Sequence, residues 1–369
     1  MATVYVAAGG GGDALAAAVI RRAIGHSEPA VIATYAWERL IIDPVPGPRS
    51  PADFDGLHPL GRSNHRIVPG TAPRPPAGST LPRLATELED DLVLLDPADG
   101  ARGLRAQLAE LASLYHADAI TVVDVGGDAI ARGDEPTLLS PLADSLALAA
   151  TIGLDIPIAV LVAGAGLDGE LSESQVLAFA RAEPILRLGA DDIAPFRAVL
   201  DWHPSEATAL LAAAALGLRG RVEVRDAGLG VALTDHSADV YSLALERVIE
   251  HNRLAAALVD SANLSEAEDI ARSVCGSCEI DYERSKAEAW HGADRGQITA
   301  PDDDAIRTFE LDAASRGVDY VTFRRIAEAT DLSPDAARNL RRHLATTRPE
   351  RYVWPLWSVA APTAATARA

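Results

Sequence analysis

The chain has 369 residues at 38.7 kDa, a length for two ordinary domains or one large α/β domain with additions, which excludes a peptide-sized or disulfide-stapled fold. Hydrophobic residues make up 48% and charged residues 23%, enough for a sizeable core, and with aromatics at 5% that core must be aliphatic. A net charge of −20 repels nucleic acid and anionic membrane as a whole-surface property, so the expected partner is a small-molecule substrate or a protein, including a second copy in a homo-oligomer.

Of the 33 basic residues 32 are Arg, and Lys286 is the single Lys. A P-loop, which needs a lysine after its glycines, is absent, and pyridoxal phosphate (PLP), which would have to sit on Lys286, is not expected. No basic leader with an apolar run opens the sequence and no stretch approaches the ~20 apolar residues of a membrane span, so a cytoplasmic location is expected. Two cysteines agree with a reducing compartment.

In chain order, β-like Val4 to Ala8, helical Leu15 to Ile24 and β-like Val31 to Tyr35 give strand, helix, strand, the grammar of a parallel sheet. Residues 43–82, rich in proline and glycine, read as a surface excursion long enough for a lid. Strand patterns return at Leu92 to Leu95, Ile120 to Val125 and Ile158 to Val162, with helical runs Leu104 to Ala112 and Leu142 to Thr151 between them. Helical runs follow at Ser174 to Ala182, Glu206 to Leu216 and Val240 to Leu258, with β-like pieces at Val222 to Val224 and Val231 to Leu233, where the sheet is expected to end. Further on, Thr322 caps a helix from Phe323 to Thr330, Ser333-Pro334-Asp335 opens another to Leu344, and Ala305 to Ala314 makes a third. The fold class is therefore α/β. A doubly wound, mostly parallel sheet with helices on both faces occupies residues 1–300, followed by a small C-terminal helical, helix-turn-helix-like module over 301–352 and a tail over 353–369. Arg338, Arg341, Arg342, Arg348 and Arg351 with His343 give that module a basic stretch, but nine Arg against seven acids over 305–351 is too little for tight DNA binding.

Three predicted parallel strands end in glycines mixed with carboxylates: Gly9-Gly10-Gly11-Gly12-Asp13, Asp124-Val125-Gly126-Gly127-Asp128, and Gly164-Ala165-Gly166-Leu167-Asp168-Gly169-Glu170. The carboxyl ends of parallel strands share one edge, so all three loops should face one crevice. Glycine amides and the helix start behind Asp13 suit a phosphate, with Gly9, Gly10, Gly11, Gly12, Asp13, Gly126 and Gly127 as cofactor-binding candidates. Crowded acids need a cation, hydroxyls or protons, which makes Asp124, Asp168 and Glu170 candidate ligands of Mg²⁺. Asp128, Glu135 and His203, the last beside Trp202 where Ser205 caps a helix, are the catalytic candidates. A literal dinucleotide fingerprint, Gly9-x-Gly11-x-x-Ala14 with Glu38 as ribose acceptor, keeps NAD as a competitor to ATP or another nucleotide. Cys275-Gly-Ser-Cys278 has redox or half-zinc spacing without the partners either use requires.

The run Ala8 to Ala14, the stretch Val123 to Asp128 with Gly133-Asp134-Glu135 and Ser140-Pro141-Leu142-Ala143-Asp144, and Asp168-Gly169-Glu170-Leu171 resemble the domain of unknown function 1152 family. Trp202-His203-Pro204-Ser205-Glu206 and Asp281-Tyr282-Glu283-Arg284 are similar to the same family, and the resemblance spans about residues 3 to 290. It implies a soluble single-chain protein whose shared residues are these loops, and it carries no transferable activity. The expected function is a small-molecule enzyme acting on a phosphorylated or nucleoside- or nucleotide-like substrate by Mg²⁺-assisted group transfer, ligation or hydrolysis. The competing readings are an NAD-binding oxidoreductase and a ligand sensor with a helix-turn-helix output.

Overall fold

The computed structural model describes residues 2–10, 12–25, 30–225, 228–292 and 298–359. Runs of small and branched apolar residues form its strands, in chain order β1 (Thr3–Ala7), β2 (Val31–Tyr35), β3 (Phe54–Asp55), β4 (His58–Leu60), β5 (Asn64–Ile67), β6 (Ala72–Pro73), β7 (Asp91–Leu95) and β8 (Ala119–Val125). There follow β9 (Ile158–Ala163), β10 (Leu186–Arg187), β11 (Gly220–Val224), β12 (Leu229–Leu233), β13 (Asp239–Ala244), β14 (Tyr320–Val321), β15 (Tyr352–Val353) and β16 (Leu356–Ser358).

Nine of these form one sheet in the order β10-β13-β9-β8-β1-β2-β7-β5-β4. The central β9, β8, β1, β2 and β7 run parallel, in register at Val4 with Val31 on one side and Ile120 on the other. β13 and β10 continue one edge antiparallel, and β5 and β4 the other. Period-two alternation decides which face each side chain takes: Val4, Val6, Val122 and Val160 join one core, Tyr5, Ala7, Val123 and Leu161 the other. The first core is covered by the helices Gly100–Leu114 and Pro141–Thr151, the second by Gly12–Ala23 and Glu206–Ala215, which gives the α/β sandwich expected from the alternation.

Two segments differ from the sequence expectation. The run from Val240, expected to be helical, begins as the antiparallel strand β13 and only then becomes the helices Leu245–His251 and Arg253–Leu258. A stretch as short as Val240 to Ala244 fits either a strand or the start of a helix, and pairing with β9 decides it. Residues 43–82 supply the short strands β3 to β6, of which β4 and β5 extend the sheet edge.

The helices Asp303–Ser315, Phe323–Ala329 and Pro334–Thr347 form where expected, capped by Asp302, Thr322 and Ser333. The segment is nevertheless not all-helical. β14, β16 and β15 add to the β11–β12 hairpin in a second sheet, β12-β11-β14-β16-β15, because the free edge of β11 offers unpaired backbone groups that the short Tyr320–Val321 strand satisfies. Glu223 on β11, buried, ties the two parts through Arg316 at 2.9 Å and Arg325 at 3.4 Å. Ile306, Phe309, Ile326, Leu340, Leu344 and Trp357 make a small separate core. Much of the basic stretch is engaged within the chain: Arg348 and Arg351 with Glu310, His343 with Asp303, and Arg341 with the Leu200 carbonyl. Among the described residues no helix is long and apolar enough to cross a membrane.

Candidate functional site

The five parallel strands lie as β7-β2-β1-β8-β9, so the chain walks outward from β1 in one direction through β2 and β7 and in the other through β8 and β9. Connections leave β1 and β8 on opposite faces, and the crevice between their carboxyl ends is where such sheets bind ligands. A cavity of about 130 Å³ opens there, and all three glycine and carboxylate loops reach it through Gly9, Gly10, Gly12 and Asp13, through Asp128, and through Asp168 and Glu170. His203 lines it too. Gly11 lies outside the described residues.

The floor is a group of carboxylates, Asp13, Asp128, Asp144 and Asp168 among the lining residues, with Asp124 buried against them. One ligand atom each from Asp13, Asp124 and Asp144 falls within 4.8 Å of the others. Asp13, in the first turn of helix Gly12–Ala23, accepts from the Gly9 amide at 2.8 Å, and burial pushes its carboxyl up to about 7. Asp124, one residue before the end of β8, is 1% exposed; Asp128 and the Gly127 amide stand beside it, yet neither Asp124 oxygen meets a donor at hydrogen-bonding geometry. Asp144, at 2% exposure, sits in the otherwise apolar helix Pro141–Thr151 with its Oδ1 unpartnered. Burial first, then mutual repulsion, holds Asp124, Asp128 and Asp144 well above the usual carboxylate range.

Hydrogen bonding separates these acids from their neighbours. Glu170 accepts from the Leu139 and Ser140 amides at 2.8 and 2.9 Å and from the Ser140 hydroxyl. Glu279 faces the amides of Leu142 and Ala143 at 3.3 and 3.4 Å, Glu283 accepts from Trp37 Nε1 and the Gly47 amide, and Glu38 from the Thr80 amide and hydroxyl. These four orient the loops and the start of the helix that carries Asp144. Asp168 is intermediate: Oδ1 accepts from the Glu170 amide at 2.9 Å, Oδ2 is buried without a donor, and burial followed by the Glu170 charge pushes the carboxyl up to about 7.

Other expected residues fall differently. Glu135 does not line the cavity; its carboxylate accepts from the amides of Arg132 and Gly133 and closes its own turn. His203 is 6% exposed with Nδ1 accepting from the Ser205 amide at 3.3 Å, while Trp202 beside it donates to Glu87 and lies under Arg83, away from the cavity. Gly10 has a packing reason, since a Cβ there would lie 2.1 Å from the Trp37 carbonyl oxygen. At Gly126, φ is +123° and a Cβ would lie 2.2 Å from the Asp168 carboxyl carbon; Gly127 and Gly12 approach Val176 and Ser205 as closely as side chain-free positions allow. None of residues 43–82 lines the cavity. Gly276 ends the helix Leu264–Cys275 in the left-handed conformation, which explains the Cys-Gly-Ser-Cys run, and burial pushes the free Cys275 thiol up to about 11, an unreactive value.

A family described as protein of unknown function (DUF1152) matches the chain over residues 4–287. The chain belongs to the DUF1152 family. No curated protein and no solved structure matches it. Every carboxylate of the floor lies inside the DUF1152 span, whereas Arg324, at the cavity mouth, lies outside it.

Sequence reasoning missed Asp144, Glu279, Glu283 and Arg39 as lining residues. Three of them had a readable pattern: Asp144 is the one carboxylate in an eleven-residue, mostly apolar helix, and Glu279 and Glu283 stand four apart, on one helical face. Asp281, between them, points elsewhere and pairs with Arg272 and Arg284.

Proposed function

We propose that the chain is a small-molecule enzyme that uses a divalent cation, Mg²⁺ as the default hard ion, to act on a phosphorylated or nucleotide-like substrate by group transfer, ligation or hydrolysis. The observation that carries this is Asp124: a buried carboxylate neither of whose oxygens meets a donor at hydrogen-bonding geometry, within 4.8 Å of two further carboxylates, of which Asp144 also has an oxygen without such a donor. A buried carboxylate must have hydrogen bonds, a proton or a cation, and three oxygen ligands converging on one point suit a hard divalent ion. Asp13, Asp124 and Asp144 would hold it, where it supplies charge neutralisation and polarisation of a substrate oxygen. Asp128 and Asp168 stand next to them, and His203, fixed through Nδ1, faces the same cavity as the group to move a proton. The volume, about 130 Å³ against ~300–1,000 Å³ for sites that enclose a drug-sized ligand, favours the reacting end of a small substrate over a whole dinucleotide such as NAD.

Titration with Mn²⁺, followed by calorimetry and the loss of free-ion electron paramagnetic resonance signal, tests the reading. Saturable binding to the wild type that Asp124→Asn and Asp144→Asn abolish is expected; a wild-type protein that binds no Mn²⁺ overturns it. Mass spectrometry of any co-purified small molecule addresses the substrate.

One observation favours the sensor reading as an alternative: Arg324, on the first helix of the helix-turn-helix-like pair Phe323–Ala329 and Pro334–Thr347, lines the cavity. Gel shifts with the gene's own upstream DNA, with and without cation, test it, and no shift at low salt ends it.

A further inference from the structure

Three guanidinium groups stand around the carboxylate cavity, each from a different element: Arg39 after β2, Arg225 after β11, and Arg324 on helix Phe323–Ala329. Arg225 donates to the Asp168 carbonyl at 2.7 Å and lies 3.6 Å from Glu170, with its backbone at φ +22°, a conformation L-residues rarely adopt. Arg324 is held between Glu206 at 3.7 Å and Glu328 at 2.9 Å. Arg39 is exposed, and its guanidinium makes no hydrogen bond or ion pair with any described residue. A smaller pocket continues from this side, lined by Arg39, Arg324 and Lys286, the chain's one lysine, with Tyr282.

Cationic groups at the mouth and acids at the floor make contradictory demands on a ligand. A cation satisfies the floor and leaves the Arg39 guanidinium without a partner among the described residues; an anion that reaches the arginines meets Asp13, Asp144 and Asp168 as well. A multiply charged anion bound together with a divalent cation satisfies both, because the cation converts the floor from repulsive to attractive. Arginine forks match phosphoryl oxygens two at a time, and three of them at one opening suit a dianion better than a single carboxylate.

Resting on the cation reading above, we infer that the arginine rim seats the substrate's phosphoryl group between the guanidinium groups of Arg39, Arg225 and Arg324 and a cation on Asp13, Asp124 and Asp144, so that anion binding requires the cation. Arg324 lies beyond the family span 4–287, so the C-terminal segment contributes part of this recognition in its own right. Binding is also reciprocal: whatever factor the cation adds to phosphate affinity, phosphate adds to cation affinity.

The test is equilibrium dialysis of labelled inorganic phosphate against the full chain, with and without saturating Mg²⁺, and a parallel Mn²⁺ titration. Phosphate is expected to bind only with the cation present. Arg39→Gln and Arg324→Gln should each weaken phosphate at least ~10-fold while the Mn²⁺ dissociation constant stays within about twofold, which also shows that the variants are folded. Phosphate binding that is independent of cation, as tight in the two variants as in the wild type, or matched by malonate overturns the assignment. Mn²⁺ binding without any phosphate binding overturns it too and leaves the cation reading standing, whereas absence of Mn²⁺ binding strikes that earlier reading itself.

Discussion

Replacing Asp124 by Asn should make the cation-free protein more stable. The ligand atoms of Asp13, Asp124 and Asp144 lie within 4.8 Å of one another, and two unit charges at that separation repel by about 3 kcal/mol at an effective dielectric of ~20. Proton uptake already relieves part of that repulsion near neutrality, because burial and neighbouring charge hold these carboxyls above their ordinary range. The isosteric amide removes the remainder and brings an N–H₂ that donates to the acids around it. A gain of about 1–3 kcal/mol is expected, which for a chain of this size raises Tm by about 1–4 °C. Differential scanning calorimetry in chelator, then in Mg²⁺, gives both halves of the comparison: the wild type should gain with Mg²⁺ and Asp124→Asn should not. A variant less stable than wild type in chelator, or one that keeps the wild-type Mg²⁺ shift, would refute the argument that an unsatisfied carboxylate is kept for a cation.

Stability should also depend on pH in an unusual sense. Burial raises Asp13 and Asp168 from 3.8 to about 7 and Glu279 from 4.5 to about 8, so the folded chain holds protons that the unfolded chain has released. Their contribution is full below about pH 4 and is lost as pH rises through about 7 to 8; Tm in chelator should fall across that window, while the Mg²⁺ shift grows as protons stop competing. A Tm that climbs from pH 5 to 8 in chelator contradicts this. Gly10→Ala forces a Cβ to 2.1 Å from the Trp37 carbonyl oxygen, backbone against backbone, and should cost about 2–4 kcal/mol in urea unfolding. Gly189→Ala, whose Cβ would meet nothing nearer than 3.8 Å, should stay within ~0.5 kcal/mol and serves as the matched control.

Much of this architecture could be read from local pattern. β1, β2, β7, β8 and β9 sit within a residue or two of the expected strands, because each is a short apolar run between a turn and a helix of clear amphipathic or alanine-rich character. The convergence of the Asp13, Asp128 and Asp168 loops also followed, since parallel strands have a common edge. What local pattern could not give was pairing decided by distant partners: β13 against β9, and β14 against β11, join segments whose own composition is neutral between helix and strand. The same limit applied to the site. Asp144 becomes a member only because the helix Pro141–Thr151 packs across the sheet end, and Glu170, expected as a metal ligand, also accepts from the Leu139 and Ser140 amides. Hydrogen-bond donors, invisible in a sequence, separate the acids that hold loops from the acids left over.

The cavity wall draws on residue 13 and on residue 324, with Val224 at the end of β11 between them in the chain. During synthesis Arg39 and the acids of the floor therefore leave the ribosome long before Arg324. The lining of the cavity is complete only once residue 324 has been released and its helix has docked.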